Sequence, residues 1–129
     1  MDKRNLALDL KHSGCNCCQA VIAAYADELG IDVEQSKALG AAFGAGMGNM
    51  KGNCGALCGA QIVLGLVKYS GRPLGAEARN IYAEFENLCG GTVCADIKGV
   101  STGKMLCSCD DCVANAVDIL EEVLSQDNS

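Results

Sequence analysis

The chain of 129 residues has no tryptophan, one proline (Pro73) and one histidine (His12). Aromatic residues make up only 4% of it: Tyr25, Tyr69, Tyr82, Phe43 and Phe85. Helices rich in small residues can approach one another closely, which leaves backbone near whatever they surround. No Lys/Arg cluster occurs, and the formal charge is −6. Nucleic-acid binding needs a basic stripe that neutralises phosphates and releases counterions, so no nucleic-acid partner is expected. The opening Met1-Asp2-Lys3-Arg4-Asn5 has no apolar run suited to a signal peptide. No stretch approaches membrane-spanning length and no lipidation motif is visible, so no membrane insertion is expected. The expected address is the cytoplasm, where cysteine clusters more often mean metal or redox chemistry than structural disulfides.

Several cofactor motifs are missing as well. Gly44 to Lys51 does not satisfy the P-loop pattern, and Gly103-Lys104 is followed by Met105. Gly44-x-Gly46-x-x-Asn49 breaks the dinucleotide fingerprint, and no strand precedes it. His12 follows no CxxC pair, which excludes covalent attachment of haem c. It reads as a solvated side chain ahead of the first helix, with proton donation or ligation as the minor alternative. The Met47 and Met50 pair suits soft metals, but loop packing explains it as well.

What the chain does have is ten cysteines, 16 glycines and 50% hydrophobic residues with a positive mean hydropathy, the composition of one compact domain over 1–129. The apolar spacing predicts an all-α bundle of about five helices. The first runs from Asn16, a good N-cap, to Leu29, with Gly30 ending it. The second starts at Asp32, in a capping box with Gln35, and reaches Phe43. Gly44 to Gly55 is too rich in glycine for a helix. Ala56 to Tyr69 reads as a central buried helix in which Gly59 and Gly65 permit tight packing. Leu74 to Leu88 and Asp111 to Ser125 follow, with a single helical turn between them from Cys94 to Ile97.

The cysteines fall into four groups: Cys15, Cys17 and Cys18; Cys54 and Cys58; Cys89 and Cys94; Cys107, Cys109 and Cys112. Cys17, Cys54, Cys94 and Cys112 open, or nearly open, helical segments. A helix start carries unpaired N–H groups and roughly +0.5 of an elementary charge, which lowers thiol pKa values and welcomes anions. Some of the ten could simply be small buried hydrophobes, but the set crowds into loops and first turns beside glycine rather than following apolar stripes. Cys15-x2-Cys18 and Cys109-x2-Cys112 suit zinc as pairs, yet the roughly ninety residues between them exceed ribbon or knuckle spacing. A thioredoxin-type CxxC needs a βαβ context that the pattern lacks. An iron–sulfur cluster needs thiolates, nearby N–H donors and a dry pocket, which glycine-flanked cysteines can supply.

Gly14-Cys15-Asn16-Cys17-Cys18-Gln19-Ala20-Val21 resembles the Gly-x-Asn-Cys-x-Gln-Ala-Val opening of the redox-active proteins named for their C_GCAxxG_C_C motif. Cys54-Gly55-Ala56-Leu57-Cys58-Gly59 resembles that family's Cys-Gly-Ala-x-x-Gly core. Cys94, ahead of Asp96-Ile97-Lys98-Gly99, looks like its third cysteine, and Cys112 like its fourth. The resemblance implies a small helical redox protein sharing Cys17, Cys54, Cys94 and Cys112, akin to the cysteine-rich domain of split-Soret-type cytochromes. Cys15, Cys18, Cys58, Cys89, Cys107 and Cys109 go beyond that pattern, and a larger or second cluster would account for them.

The first expectation is therefore an iron–sulfur protein for electron transfer or cluster-based reduction, with Cys17, Cys54, Cys94 and Cys112 as ligands. Cys15, Cys18, Cys58, Cys107 and Cys109 lie within short covalent reach of those four and are candidates to extend the site. A metal-free thiol–disulfide protein and a Zn or Cu(I) binding or storage protein are the alternatives. The partner would be another redox protein, with a homodimer left open. No acid/base constellation supports a definite enzyme.

Overall fold

The computed structural model describes residues 2–125; Met1 and positions 126–129 of the expected domain span lie outside the described residues. The described residues form α-helices, with one isolated bridge between Asn53 and Val93 and no strand. The all-α class thus holds, but eight α-helices replace the expected five or so.

The first of them, α1 (Lys3–His12), had no counterpart in the sequence reading. Leu6, Ala7 and Leu10 share one helical face, but only Ala7 is fully buried and the helix is short, so its apolar face is small. Asp2 caps it, its side chain accepting from the Arg4 N–H at 2.9 Å. The expected helix from Asn16 to Leu29 breaks at Tyr25 into α2 (Cys17–Ala24) and α3 (Ala26–Leu29). Gly30 ends α3 in the left-handed conformation. In α4 (Val33–Gly40) the Asp32–Gln35 capping box is present, and one 3-10 turn, Ala41–Phe43, completes the segment. The glycine-rich loop then winds through Gly46–Met50, with Ala45, Met47 and Met50 at positive φ.

Four further helices follow: α5 (Gly55–Lys68), α6 (Gly75–Cys89), α7 (Cys94–Lys98) and α8 (Cys109–Ser125). α5 lies centrally against α2, α6 and α8, α1 packs on α2 and α8, and α4 covers α2. The shared core comprises Val21, Ile22, Leu57, Val63, Leu64, Ile81, Phe85, Val113, Val117 and Leu120. α5 is not buried throughout, because Leu66, Val67 and Tyr69 at its far end are exposed. No described helix is long and apolar enough to cross a membrane.

The two glycines inside α5 differ in role. A Cβ on Gly59 would stand 2.9 Å from the Cys18 carbonyl oxygen and 3.0 Å from the Val21 Cβ, so its absence sets how closely α2 and α5 approach. Nothing lies within 4 Å of a Cβ on Gly65, which corrects the expected packing role there. Gly59→Ala should accordingly destabilise the protein by about 1–3 kcal/mol through overpacking. Gly65→Ala should stabilise it by about 0.5–1 kcal/mol through helix propensity. Denaturant melts of the two variants beside the parent check the opposite signs.

Candidate metal and redox site

Local capping decides where the cysteines stand. The Asn16 side chain accepts from the Gln19 N–H at 2.8 Å, and the Gln19 side chain accepts from the Asn16 N–H at 2.8 Å, so α2 starts at Cys17. The same two side chains anchor that start to α4: Asn16 Nδ2 donates to the Gly40 carbonyl at 3.2 Å and Gln19 Nε2 to the Lys37 carbonyl at 3.1 Å. Cys54 is the N-cap of α5 and Cys94 the first residue of α7. These two starts are fastened together by backbone. The Cys54 N–H donates to the Thr92 carbonyl at 2.6 Å and the Cys94 N–H to the Gly52 carbonyl at 3.0 Å. Gly46, at φ 60°, runs so close to Cys94 that a Cβ there would fall 2.6 Å from the cysteine's own Cβ.

The last helix opens two residues earlier than its pattern indicated. Ser108 accepts from the Asp111 N–H at 3.0 Å, making Cys109 the first residue of α8. Cys112 therefore stands one turn inside the helix, where its own N–H already donates to the Ser108 carbonyl at 2.9 Å.

Cys17, Cys54, Cys94 and Cys112 stand on neighbouring helix ends, but among the described residues these four are not gathered within 4.8 Å of one another. Cys54 neighbours Cys112, and Cys17 and Cys94 lie near Cys54 and Cys109. Lys98, half-buried at the end of α7, extends its ammonium into this group. It donates to the Cys112 Sγ at 3.7 Å and to the Cys107 carbonyl at 3.1 Å, with Cys109 close by. On the far side of Cys112, the sulfurs of Cys89, Cys107 and Cys112 all lie within 4.8 Å of one another. Asn115 Nδ2 donates to the Cys89 Sγ at 3.3 Å and to the Cys107 Sγ at 3.9 Å.

The remaining thiols are dispersed. Cys18 is buried between α2 and α5 beside Cys58, whose half-buried thiol donates weakly to the Asn53 carbonyl at 3.9 Å. Cys15 is buried at the turn between α1 and α2, its N–H bonded to the Leu10 carbonyl. His12 is exposed, as expected, and its Nε2 sits 2.8 Å from Asp110. Met47 is also exposed and packs over Gly52. Three participants were missed from sequence. Cys89 closes a helix rather than opening one, and Lys98 and Asn115 looked like ordinary polar helix residues. The available signal was helical spacing: Lys98 is four residues beyond Cys94, and Asn115 three beyond Cys112.

The helix starts do not lower the thiol pKa values, contrary to expectation. Burial raises Cys17, and the neighbouring Cys109 and Cys54 sulfurs add to the rise against the opposing ammonium groups of Lys11 and Lys98. Burial, then Cys58, Cys17 and Cys54, pushes Cys18 up to about 12. Cys54 rises chiefly because its thiol donates to Cys112, with burial next; the Ala56 N–H and Lys98 pull the other way without prevailing. That same bond from Cys54 holds Cys112 down, but Cys89 and burial outweigh it. Lys98 is raised to about 12: burial alone would lower it, but Cys112, Cys109 and Cys54 favour the charged form. A cluster of neutral thiols held at this density around one ammonium is a reservoir of thiolate ligands that a metal can deprotonate on binding. The donor set of the three-sulfur group is sulfur alone, which fits thiophilic metals.

Linkage gives a pH prediction. A thiol that ionises near 9.0 when unfolded but near 12 when folded costs nothing below pH 9 and opposes folding increasingly above it. Stability of the metal-free, reduced protein should fall between pH 9 and 12, with each such thiol contributing up to about 1.4 kcal/mol per pH unit. Urea melts across that range check it. A flat profile would mean that the thiols are not held neutral by the fold.

Comparison with known proteins agrees with this chemistry. No curated protein and no solved structure matches the chain. A family profile does match, over residues 15–123, and its description reads "Putative redox-active protein (C_GCAxxG_C_C)". The matched span takes in all ten cysteines and the helices that position them. The chain is a member of the C_GCAxxG_C_C family of redox-active proteins.

Proposed function

We propose that this protein carries an iron–sulfur cluster on Cys17, Cys54, Cys94 and Cys112 and passes single electrons to a partner redox protein. The observation that supports the reading is the gathering of Cys17, Cys94 and Cys112 about Cys54, three of the four at helix starts and Cys112 one turn inside its helix, with the Lys98 ammonium 3.7 Å from the Cys112 sulfur. When bound, the cluster would supply one-electron storage at a potential set by its charge, hydrogen bonds and exposure. The chain's own residues supply the rest. Cys54, Cys94 and Cys112 are buried, so water is kept from the sulfurs. The Ala56 N–H, at the start of α5, faces the Cys54 sulfur and would stabilise its thiolate. Lys98 offsets ligand charge, and both effects favour the reduced, more negative state of a bound centre. Gly46 and Gly55 let backbone lie against Cys94 and Cys17, where a side chain would intrude.

The protein isolated without oxygen should be brown and contain iron and acid-labile sulfide. Outer-shell changes alone typically weaken metal affinity about 10–100-fold, so removing a ligand sulfur in Cys54→Ser should lower iron occupancy at least as far. A colourless product after iron and sulfide reconstitution, with zinc or intact disulfides in its place, would sink the reading in favour of the zinc or thiol–disulfide alternatives. A second check uses Lys98→Met, which should shift the reduction potential of the reconstituted protein to more negative values, while Lys98→Arg keeps it near that of the parent.

A further inference from the structure

The cysteines beyond the shared four do not all pack as hydrophobes. We propose that Cys89, Cys107 and Cys112 form a second metal site, selective for Cu(I), joined to the iron–sulfur site through Cys112. The three sulfurs come from separate segments: the last residue of α6, the loop before α8 and the second turn of α8. Sulfurs around one metal at about 2.3 Å lie about 4 Å apart in a trigonal plane, so small side-chain rotations close the site.

The surroundings are those of ligands. The Asn115 amide donates to the Cys89 and Cys107 sulfurs at 3.3 and 3.9 Å, and the Lys98 ammonium to the Cys112 sulfur at 3.7 Å. Each sulfur therefore already has a donor suited to thiolate, the outer shell that tunes metal-bound sulfur. Leu106, next to Cys107, packs on Gly90, next to Cys89, so hydrocarbon fastens the loop to the helix end. Cys89 and Cys112 are 1% and 0% exposed, which keeps oxidants and water away.

Donor number selects the metal. Structural zinc takes four ligands in a tetrahedron, whereas this group holds three sulfurs and no carboxylate or imidazole. Cu(I) is soft, accepts three thiolates in a plane and needs no fourth donor. Binding is an exchange without electron transfer: three thiols and one Cu(I) give a tris-thiolate complex of charge −2 and release three protons. Lys98 offsets one of the two negative charges. Two of the three ligands lie outside the family four, so the site does not depend on the iron–sulfur reading.

The test is to add one equivalent of tetrakis(acetonitrile)copper(I) to the reduced, metal-free protein, against bathocuproine disulfonate as competitor, and to read the copper environment by X-ray absorption. Three sulfur ligands at a single trigonal distance are expected. A two-sulfur or four-sulfur environment, or complete loss of the copper to the competitor, overturns the proposal. Cys89→Ser and Cys107→Ser should each weaken the first copper equivalent at least tenfold, and Cys17→Ser should leave it unchanged, with far-UV circular dichroism reporting the fold. Iron and sulfide reconstitution separates the two readings. Failure in the parent protein sinks the iron–sulfur site and leaves the copper result standing. Iron loss in both Cys89→Ser and Cys107→Ser would assign the trio to the iron site and overturn a second one.

Discussion

The close crossing of α2 and α5 is the constraint on which the rest of the structure depends. Gly59 lies against the Cys18 carbonyl and Gly55 against the Cys18 N–H, so backbone meets backbone where most helix pairs are separated by side chains. With the two starts at that distance, Cys17 and Cys54 fall into one group. The bridge between Asn53 and Val93 then adds Cys94, and α8 packing on α5 adds Cys112. Each step is local, but none places sulfurs together without the first.

Crowding the sulfurs has an electrostatic consequence. Helix starts favour thiolate by a fraction of a charge that fades within a turn. Burial and adjacent sulfurs act at shorter range and in a drier medium, and here they prevail. The thiols are held neutral until something with more positive charge than a helix end arrives. Lys98 moderates the cost without removing it, since one ammonium serves Cys112, Cys109 and Cys54 together. An arrangement poised in this way suits metal binding better than nucleophilic thiol chemistry, which requires the thiolate in advance.

Much of the secondary structure was legible because short-range rules produced it. The Asn16–Gln19 and Asp32–Gln35 capping boxes are printed in the sequence and are formed in the fold. The Val113, Val117 and Leu120 stripe is buried as its spacing implied. α1 escaped because it is short and only Ala7 in it is fully buried, so its apolar face is small. The break at Tyr25 and the left-handed conformation of the non-glycine residues Ala45, Met47 and Met50 depend on how neighbouring segments pack, which no local pattern carries.

The sequence alone determined the helical class, the family and the glycine-flanked placing of Cys17, Cys54 and Cys94 at helix starts, because capping and glycine conformation act over three or four residues. Tertiary structure alone decided which sulfurs share a neighbourhood. It paired Cys54 with Cys112, and it grouped Cys89 at the end of one helix with Cys107 and Cys112 on either side of the start of another. It also directed Lys98 and Asn115 onto the sulfurs. Apart from Cys107 and Cys112, those proximities join residues from 14 to 58 positions apart, and only tertiary packing, with α5, α6 and α8 against one another, fixes distances over such separations.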